Sequence, residues 1–184
     1  MRITSEIIKR IKIKWFSRTY EKKLEYLRDL GVKVGEKTRI CCDLSFVGSE
    51  PYLIEIGSDC LLSQGLHLIT HDGGVKVLNS ANYFQGKRMD KIGRIKIGNN
   101  VYTGNYVTIL PDVTIGDNVI VGVNSVVTKD IPSNVVVAGI PARIICTLEE
   151  FYNKNIEKNK FFETATMSYE EKKQFLIKNT RKDD

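Results

Sequence analysis

The chain has 184 residues, of which 42% are hydrophobic and 27% are charged, and these values exclude wholesale disorder and collagen-like repetition. It contains neither an apolar run long enough to span a membrane nor the apolar segment of a signal peptide. Its four cysteines include no CxxC pair and are too few for a disulfide scaffold, so we expect reduced thiols and a cytoplasmic location.

The net charge of +6 is distributed unevenly along the chain. Residues 1–40 contain 12 lysines and arginines against 5 aspartates and glutamates, whereas the remainder is close to neutral. A basic N-terminal arm on a neutral body argues against a nucleic-acid-binding core. We therefore expect no nucleic-acid partner.

Residues 1–33 have the apolar spacing of α-helices, and Gly31 then supplies a stop. We interpret the apolar stripe as a surface that packs on the main domain. A second interpretation places residues 1–16 on an anionic membrane, because lysines and arginines alternate there with apolar residues. The apolar positions are Ile7, Ile8, Ile11, Trp15, Leu24, Leu27 and Leu30.

Residues 34–145 contain an internal repeat of six residues. A helix would scatter every sixth position around its surface, whereas a short strand followed by a tight turn points each of them inward. Asn and Asp after the repeated glycines suit such turns. Three repeats then form one triangular coil, and stacked coils bury an aliphatic column. The most regular repeats begin at Ile97, Thr103, Ile109, Ile115, Val121 and Val127.

Two stretches interrupt the repeat, namely a short insertion at 46–55 and a long excursion at 72–94. Loops of the second length inside a domain are usually functional, although a surface decoration or a subunit contact would also account for it. The repeat is lost in residues 146–184, where we predict a helix over 148–158 and another after the capping box that begins at Ser168.

The segment IKIGNNVYTGNYVTILPDVTIGDNVIVGVNSVVTKDIPSNVVVAGIPARII resembles the hexapeptide-repeat acyltransferases, most closely the maltose, galactoside and capsular-polysaccharide O-acetyltransferases. The resemblance implies an all-β core, a left-handed parallel β-helix, with α-helices at both ends. It also implies a homotrimer with active sites between subunits and acetyl-CoA as the acyl donor. The left hand comes from the resemblance alone, since crossovers between parallel strands are normally right-handed.

Direct acetyl transfer needs a base for the acceptor hydroxyl, but neither a metal nor a covalent intermediate. Of the two histidines, His71 matches the catalytic histidine of the capsular-type relatives, and His67 is interpreted as a solvated neighbour. Asp72, a backbone carbonyl or a carboxylate from elsewhere in the chain could orient the imidazole of His71. Carbonic anhydrases that share the β-helix fold bind zinc through three histidines. This chain has two histidines, so we expect no metal site.

The resemblance also assigns residues to the two substrates. Lys129 and Arg143 stand where a cation can meet the phosphates of the donor, although Cys146 replaces a second arginine that is common in the family. The implied donor-binding residues are Tyr102, Asn105, Gly122, Val123, Thr128, Lys129 and Arg143. Acceptor selectivity is expected from residues of the excursion and its start: Asp72, Tyr83, Phe84, Lys87 and Arg88.

The predicted function is the acetyl-CoA-dependent O-acetylation of a sugar hydroxyl in surface-polysaccharide biosynthesis, with a histidine as general base and direct transfer. Three alternatives stay open from the sequence. They are N-acylation of a nucleotide-linked amino sugar, acetylation of a small xenobiotic, and a trimeric scaffold without activity.

Overall fold

The structure is a computed structural model that describes residues 19–43 and 46–180. The chain divides into two compact units, of which the first ends at Leu148 and the second begins at Glu149. The alternative membrane contact of residues 1–16 lies outside the described residues, as do the side chains of Ile7, Ile8, Ile11 and Trp15. None of the helices within the described ranges is both long and apolar enough to cross a membrane.

The first unit is built from short strands joined by turns, because a repeat of six residues leaves only a few residues between one turn and the next. The strands are β1 (Lys33–Val34), β2 (Arg39–Ile40), β3 (Ile54–Ile56), β4 (Leu61–Leu62), β5 (His67–Leu68), β6 (Ile95–Ile97), β7 (Val101–Thr103), β8 (Thr108–Ile109), β9 (Val113–Ile115), β10 (Val119–Val121), β11 (Val126–Val127), β12 (Val135–Ala138) and β13 (Arg143–Thr147).

Across the described residues the strands form three sheets, in the orders β1-β3-β6-β9, β2-β4-β7-β10-β12-β13 and β5-β8-β11. Neighbours within each sheet run parallel, except that β12 and β13 are antiparallel. Stacked residues such as Asn99 and Asp117 are 18 residues apart in sequence where the repeat is regular. Ser58 and Asn99 are stacked although 41 residues separate them, because the excursion lies between them. The predicted parallel β-helix is confirmed.

Aliphatic side chains stack along the interior of the coils, as the repeat predicts. Ile56, Ile97 and Ile115 lie on successive coils of the first sheet, and each is at most 4% exposed. Full burial of such a side chain contributes about 1.5–3 kcal/mol. At the corners, Asn100 and Asn118 adopt left-handed backbone conformations with φ of 53° and 55°. The Nδ2 group of Asn100 donates to Oδ1 of Asn118 at 2.8 Å, which joins two coils.

Helix α1 (Tyr20–Asp29) precedes the first coil and contacts β1 and β2. The hydroxyl of Thr19 caps its N-terminus, and Gly31 follows its C-terminus with a φ of +90°. The side chain of Leu27 is completely buried in the core, so the predicted packing of the Leu24–Leu27–Leu30 stripe is confirmed.

Two further helices follow β13, namely α3 (Leu148–Glu157) and α4 (Tyr169–Asn179), numbered after the short α2 (Val75–Ser80) of the excursion. The capping box of Ser168 and Glu171 is present at the start of α4, as predicted. Strand β13 is not predicted by the repeat, because it pairs antiparallel with β12 and leaves the coil pattern.

Candidate active site

His71 lies at the corner that follows β5, where the chain leaves the coil for the excursion. Main-chain hydrogen bonds flank it on both sides, because the two ends of the excursion return to each other. The amide of Asp72 donates to the carbonyl of Lys91 at 2.8 Å, and the amide of Gly93 donates to the carbonyl of Thr70 at 2.9 Å. The backbone of His71 is therefore fixed between two neighbours that are themselves held.

The excursion folds into the short helix α2 and a return segment rather than an irregular loop. The side-chain amide of Asn79 donates to the carbonyl of Met89 at 2.8 Å, and its oxygen accepts from the amide of Met89 at 2.9 Å. The amide of Gly86 donates to the side chain of Asn82 at 2.7 Å at the turn between them. These bonds join α2 to the return segment as two walls of a cleft.

A buried carboxylate contacts the ring of His71. Oε1 of Glu50 lies 3.2 Å from Nδ1 of His71, and Oε2 of Glu50 accepts a hydrogen bond of 2.8 Å from the hydroxyl of Thr70. Thr70 is fully buried and Glu50 is 9% exposed, so the carboxylate is held in place. Because a carboxylate accepts hydrogen bonds, this arrangement favours the proton on Nδ1 and leaves the lone pair on Nε2.

Glu50 reaches this position through the insertion at 46–55. The carbonyl of Phe46 accepts a hydrogen bond of 2.9 Å from the amide of Leu68, so the insertion lies directly on β5. Gly48 has a φ of +64°, and a β-carbon there would lie 3.1 Å from both the carbonyl oxygen of Leu68 and the hydroxyl of Thr70. Sequence reasoning missed Glu50, because the insertion has no periodicity that would place it beside His71.

Asp72 does not contact the ring of His71, although it is the next residue. Its carboxylate instead lies 2.7 Å from Nζ of Lys91 and accepts a bond from the amide of Gly74 at 2.9 Å. The hydrogen bond from Lys91 holds the pKa of Asp72 below its ordinary value, and the bond from Gly74 acts in the same direction. Of the orienting groups considered from the sequence, the structure thus supplies a carboxylate from elsewhere in the chain.

A cleft of about 540 Å³ opens beside His71. Nε2 of His71 lies 3.8 Å from Oδ1 of Asp90, a carboxylate on the return segment. The cleft is lined by His71, Gly73, Val75, Lys76, Asn79, Ser80, Arg88, Met89 and Asp90. Of the acceptor residues expected from the excursion, Arg88 lines this cleft. Tyr83, Phe84 and Lys87 are not among its lining residues, and neither is His67 on β5.

Five of the residues expected to bind the donor lie at two different corners of the coils. Thr128 and Lys129 follow β11 on the same corner as His71. Hydrogen bonds from Ile69 to Ile109 and from Leu110 to Val127 place them two coils further along. Adjacent strands are about 4.8 Å apart, so this separation is about 10 Å.

Asn105, Gly122 and Val123 lie on the corner that follows the second sheet. The carbonyl of Asn105 accepts a bond of 2.9 Å from the amide of Asn124, which stacks the two coils. A β-carbon on Gly122 would lie 2.8 Å from that of Ala138, so the next coil requires the glycine. Val123 is 61% exposed at the same corner.

The remaining donor candidates lie on the second sheet. Tyr102 lies between Leu61 and Ile120 on neighbouring strands, with its side chain partly exposed. Arg143 begins β13 and is exposed, and its guanidinium donates to the carbonyl of Ala142 at 2.9 Å. Within one chain, therefore, the structure brings Thr128 and Lys129 to the corner of His71 and leaves the other candidates on different faces.

Comparison with known proteins gives consistent results. Residues 94–129 match the family model "Bacterial transferase hexapeptide (six repeats)". The chain is 40% identical to Protein CapG of Staphylococcus aureus over 152 residues, which cover 82% of this chain and 85% of CapG. It is 63% identical over 51 residues to the galactoside O-acetyltransferase of Escherichia coli K12, covering 28% of this chain and 25% of that protein.

The fold is also similar to solved structures. A galactoside acetyltransferase in complex with coenzyme A superposes with a TM-score of 0.59 and a sequence identity of 27%. The match covers 78% of this chain and 80% of that one.

Proposed function

The chain belongs to the hexapeptide-repeat acetyltransferases, whose fold is the left-handed parallel β-helix, and from this premise we propose that it transfers the acetyl group of acetyl-CoA to a sugar hydroxyl. The similar galactoside O-acetyltransferase supports a sugar hydroxyl as acceptor. The similar structure in complex with coenzyme A supports the donor.

The observation that carries the proposal is the contact of Glu50 with Nδ1 of His71, beside an open cleft. With its Nδ1 proton held, the ring presents an unprotonated Nε2 to a molecule in the cleft. Such a nitrogen can accept the proton of a hydroxyl, which is too weak an acid to lose it unaided. The geometry therefore suits acyl transfer to oxygen.

The proposed reaction has two steps. Nε2 of His71 takes the acceptor proton while the hydroxyl oxygen attacks the carbonyl carbon of the thioester. The tetrahedral intermediate collapses, the carbon–sulfur bond breaks, and the thiolate of coenzyme A takes the proton from the imidazolium. Glu50 stabilises the transient positive charge on His71 through its contact with Nδ1.

The donor is proposed to lie along the corner that carries His71, Thr128 and Lys129, with the ammonium of Lys129 toward its phosphates. Asn105, Gly122, Val123, Tyr102 and Arg143 are proposed to contribute to donor binding from other faces, as expected if a neighbouring subunit completes each site. Surface-polysaccharide biosynthesis is the proposed setting of the reaction, and the resemblance to capsular-polysaccharide enzymes supports it.

The proposal is tested by incubating the protein with acetyl-CoA and a panel of sugars while measuring the release of the coenzyme A thiol. We expect release that depends on a sugar, together with a product that is 42 Da heavier, about the mass of an added acetyl group in place of a hydrogen. Hydroxylamine should remove that group, because it cleaves esters and leaves amides intact. A product that resists hydroxylamine would instead indicate N-acylation, and the absence of any acetylated sugar would contradict the proposal.

A further inference from the structure

Two cations line the cleft beside His71. Lys76 on α2 and Arg88 on the return segment both line it. Within residues 19–43 and 46–180, neither side chain forms a hydrogen bond or an ion pair. Lys91, another cation of the excursion, is by contrast paired with Asp72. Lys91 is thus held by an ion pair within the excursion, whereas Lys76 and Arg88 line the cleft.

These two cations lie on opposite walls. Lys76 belongs to α2 and Arg88 to the return segment, and the paired hydrogen bonds between Asn79 and Met89 join the two walls. A ligand in the cleft therefore has a cation on each wall. Two cations against one carboxylate leave these lining side chains with a net positive charge, which attracts a ligand of the opposite sign.

The one carboxylate among the lining residues is that of Asp90, which lies 3.8 Å from Nε2 of His71. It repels negative charge from the point where the acceptor hydroxyl must arrive, while it can accept a hydrogen bond from a neutral hydroxyl. An anionic group would therefore be bound away from the reacting hydroxyl. The cleft volume of about 540 Å³ leaves room for a sugar ring and a charged substituent.

From these observations we propose that the acceptor is an anionic sugar, one that carries a carboxylate or a phosphate, and that Lys76 and Arg88 bind this charge. The proposal rests on the proposed function, because it names the class of sugar that the same site acetylates. A guanidinium binds a carboxylate or a phosphate through paired hydrogen bonds, and a lysine adds a point charge.

The test compares three acceptors that share one ring, namely methyl galactoside, the methyl glycoside of galacturonic acid with its carboxylate free, and galactose 1-phosphate. We expect kcat/KM for at least one of the anionic acceptors to exceed that for methyl galactoside by about tenfold or more, since a hydrogen bond to a charged group is worth about that factor. A preference for the carboxylate or for the phosphate distinguishes the two sources of charge.

Two variants, Arg88→Gln and Lys76→Gln, should each lower that preference by about tenfold. The preference is the ratio of kcat/KM for the anionic acceptor to kcat/KM for methyl galactoside in the same variant, so an equal loss of activity toward both acceptors leaves it unchanged. KM for acetyl-CoA should stay within about twofold of the parent value in both variants. The control is Lys172→Gln, which removes one charge from an exposed position on α4 and should leave the preference unchanged.

Binding of the same three compounds to the complex of the protein with coenzyme A is measured by saturation-transfer NMR, so that the result does not depend on turnover. Binding of an anionic compound that Arg88→Gln abolishes supports the inference. Equal kcat/KM for neutral and anionic sugars, or a preference that survives both substitutions, overturns it and leaves the proposed function standing. Failure of every sugar to be acetylated, with no selective binding of the anions, contradicts both.

Discussion

At the scale of single residues, the reactivity proposed for His71 depends on a proton on Nδ1. This nitrogen lies 3.2 Å from Oε1 of Glu50. Glu50 is not among the lining residues of the cleft, so we propose that it acts on the reaction through the ring, as a positioning residue, rather than on the acceptor. Its own orientation depends in turn on the buried hydroxyl of Thr70, 2.8 Å from Oε2.

Replacing Glu50 by Gln should lower kcat by about 10²-fold or more. The amide can donate to Nδ1, which places the ring proton on Nε2 and removes the base. KM for acetyl-CoA should remain close to the parent value, because the residues proposed to bind the donor lie on other coils. Steady-state kinetics with both substrates varied measures these quantities.

Two further variants separate orientation of the ring from loss of structure. Asp72→Asn removes the adjacent carboxylate, which faces Lys91, and should leave kcat within about threefold of the parent value. Glu50→Asp keeps the acceptor chemistry and should recover part of the lost rate. Equal loss of activity in Asp72→Asn and Glu50→Gln would show that Glu50 has no special role.

The cysteines provide a prediction that is independent of catalysis. Burial raises the pKa of the Cys42 thiol to about 12, whereas Cys41 is exposed. Since the thiolate is the reactive form, only about one Cys42 in 10⁴ is reactive at pH 8. Iodoacetamide at pH 8 should therefore label Cys41 much faster than Cys42 in the folded protein, as read by peptide mass spectrometry. Labelling of both at similar rates before urea is added would contradict the burial of Cys42.

At the scale of elements, the insertion at 46–55 links the fold to the site. It lies on β5 through the hydrogen bond from Leu68 to Phe46, and it places Glu50 beside Thr70 and His71. The left-handed backbone of Gly48 allows this close approach. A substitution in the insertion should therefore affect both the stability of the protein and its catalytic rate.

Gly48→Ala should destabilise the protein by about 1–2 kcal/mol, because a left-handed backbone is unfavourable for alanine. It should also lower kcat, since the new β-carbon would lie 3.1 Å from the Thr70 hydroxyl that holds Glu50. The control is Gly86→Ala, where φ is +83° but a β-carbon meets nothing within 4 Å. That variant should lose stability without the same loss of kcat. Urea unfolding and steady-state kinetics test the pair, and equal kcat values for the two variants would contradict the account.

The sequence predicts the regular elements well, because the signal for each coil is local. The repeat beginning at Ile97, Thr103 and Ile109 predicts inward positions that are buried in the structure. It predicts neither α2 nor β13, because helix α2 lies within an excursion from the repeat and β13 reverses direction to pair with β12.

Sequence reasoning identifies only part of the candidate site, because the other part depends on contacts between residues that are distant in the chain. His71 is identified by its neighbours in the chain, whereas Glu50 is 21 residues away and meets it only through the fold. The expected acceptor residues Tyr83, Phe84 and Lys87 lie on the excursion but do not line the cleft. Which side of a loop faces a site depends on contacts such as those of Asn79 with Met89, and these leave no periodic signal.

At the scale of the whole molecule, the residues proposed to bind the donor are split between corners. Thr128 and Lys129 share the corner of His71, whereas Asn105, Gly122 and Val123 lie on another. We propose that a neighbouring copy of the chain supplies the second corner, and that the protein acts as the homotrimer that the resemblance implies, with each site between two subunits.

Sedimentation equilibrium at micromolar concentration should give about three times the chain mass of 20.9 kDa. Exposed apolar side chains on and near β13 support this expectation, since Ile144 is 55% and Ile145 63% exposed. A stable monomer that retains full activity would refute the shared site.

The most direct test of the account is the turnover of His71→Ala, compared with that of His67→Ala and with acetyl-CoA binding measured for both. The account predicts that His71→Ala loses about 10²–10⁴ in kcat while it still binds acetyl-CoA, because the residues proposed for the donor lie on later coils. His67, outside the cleft, should tolerate the same change with little loss. Near-normal turnover of His71→Ala would contradict the account, whichever way His67→Ala behaves.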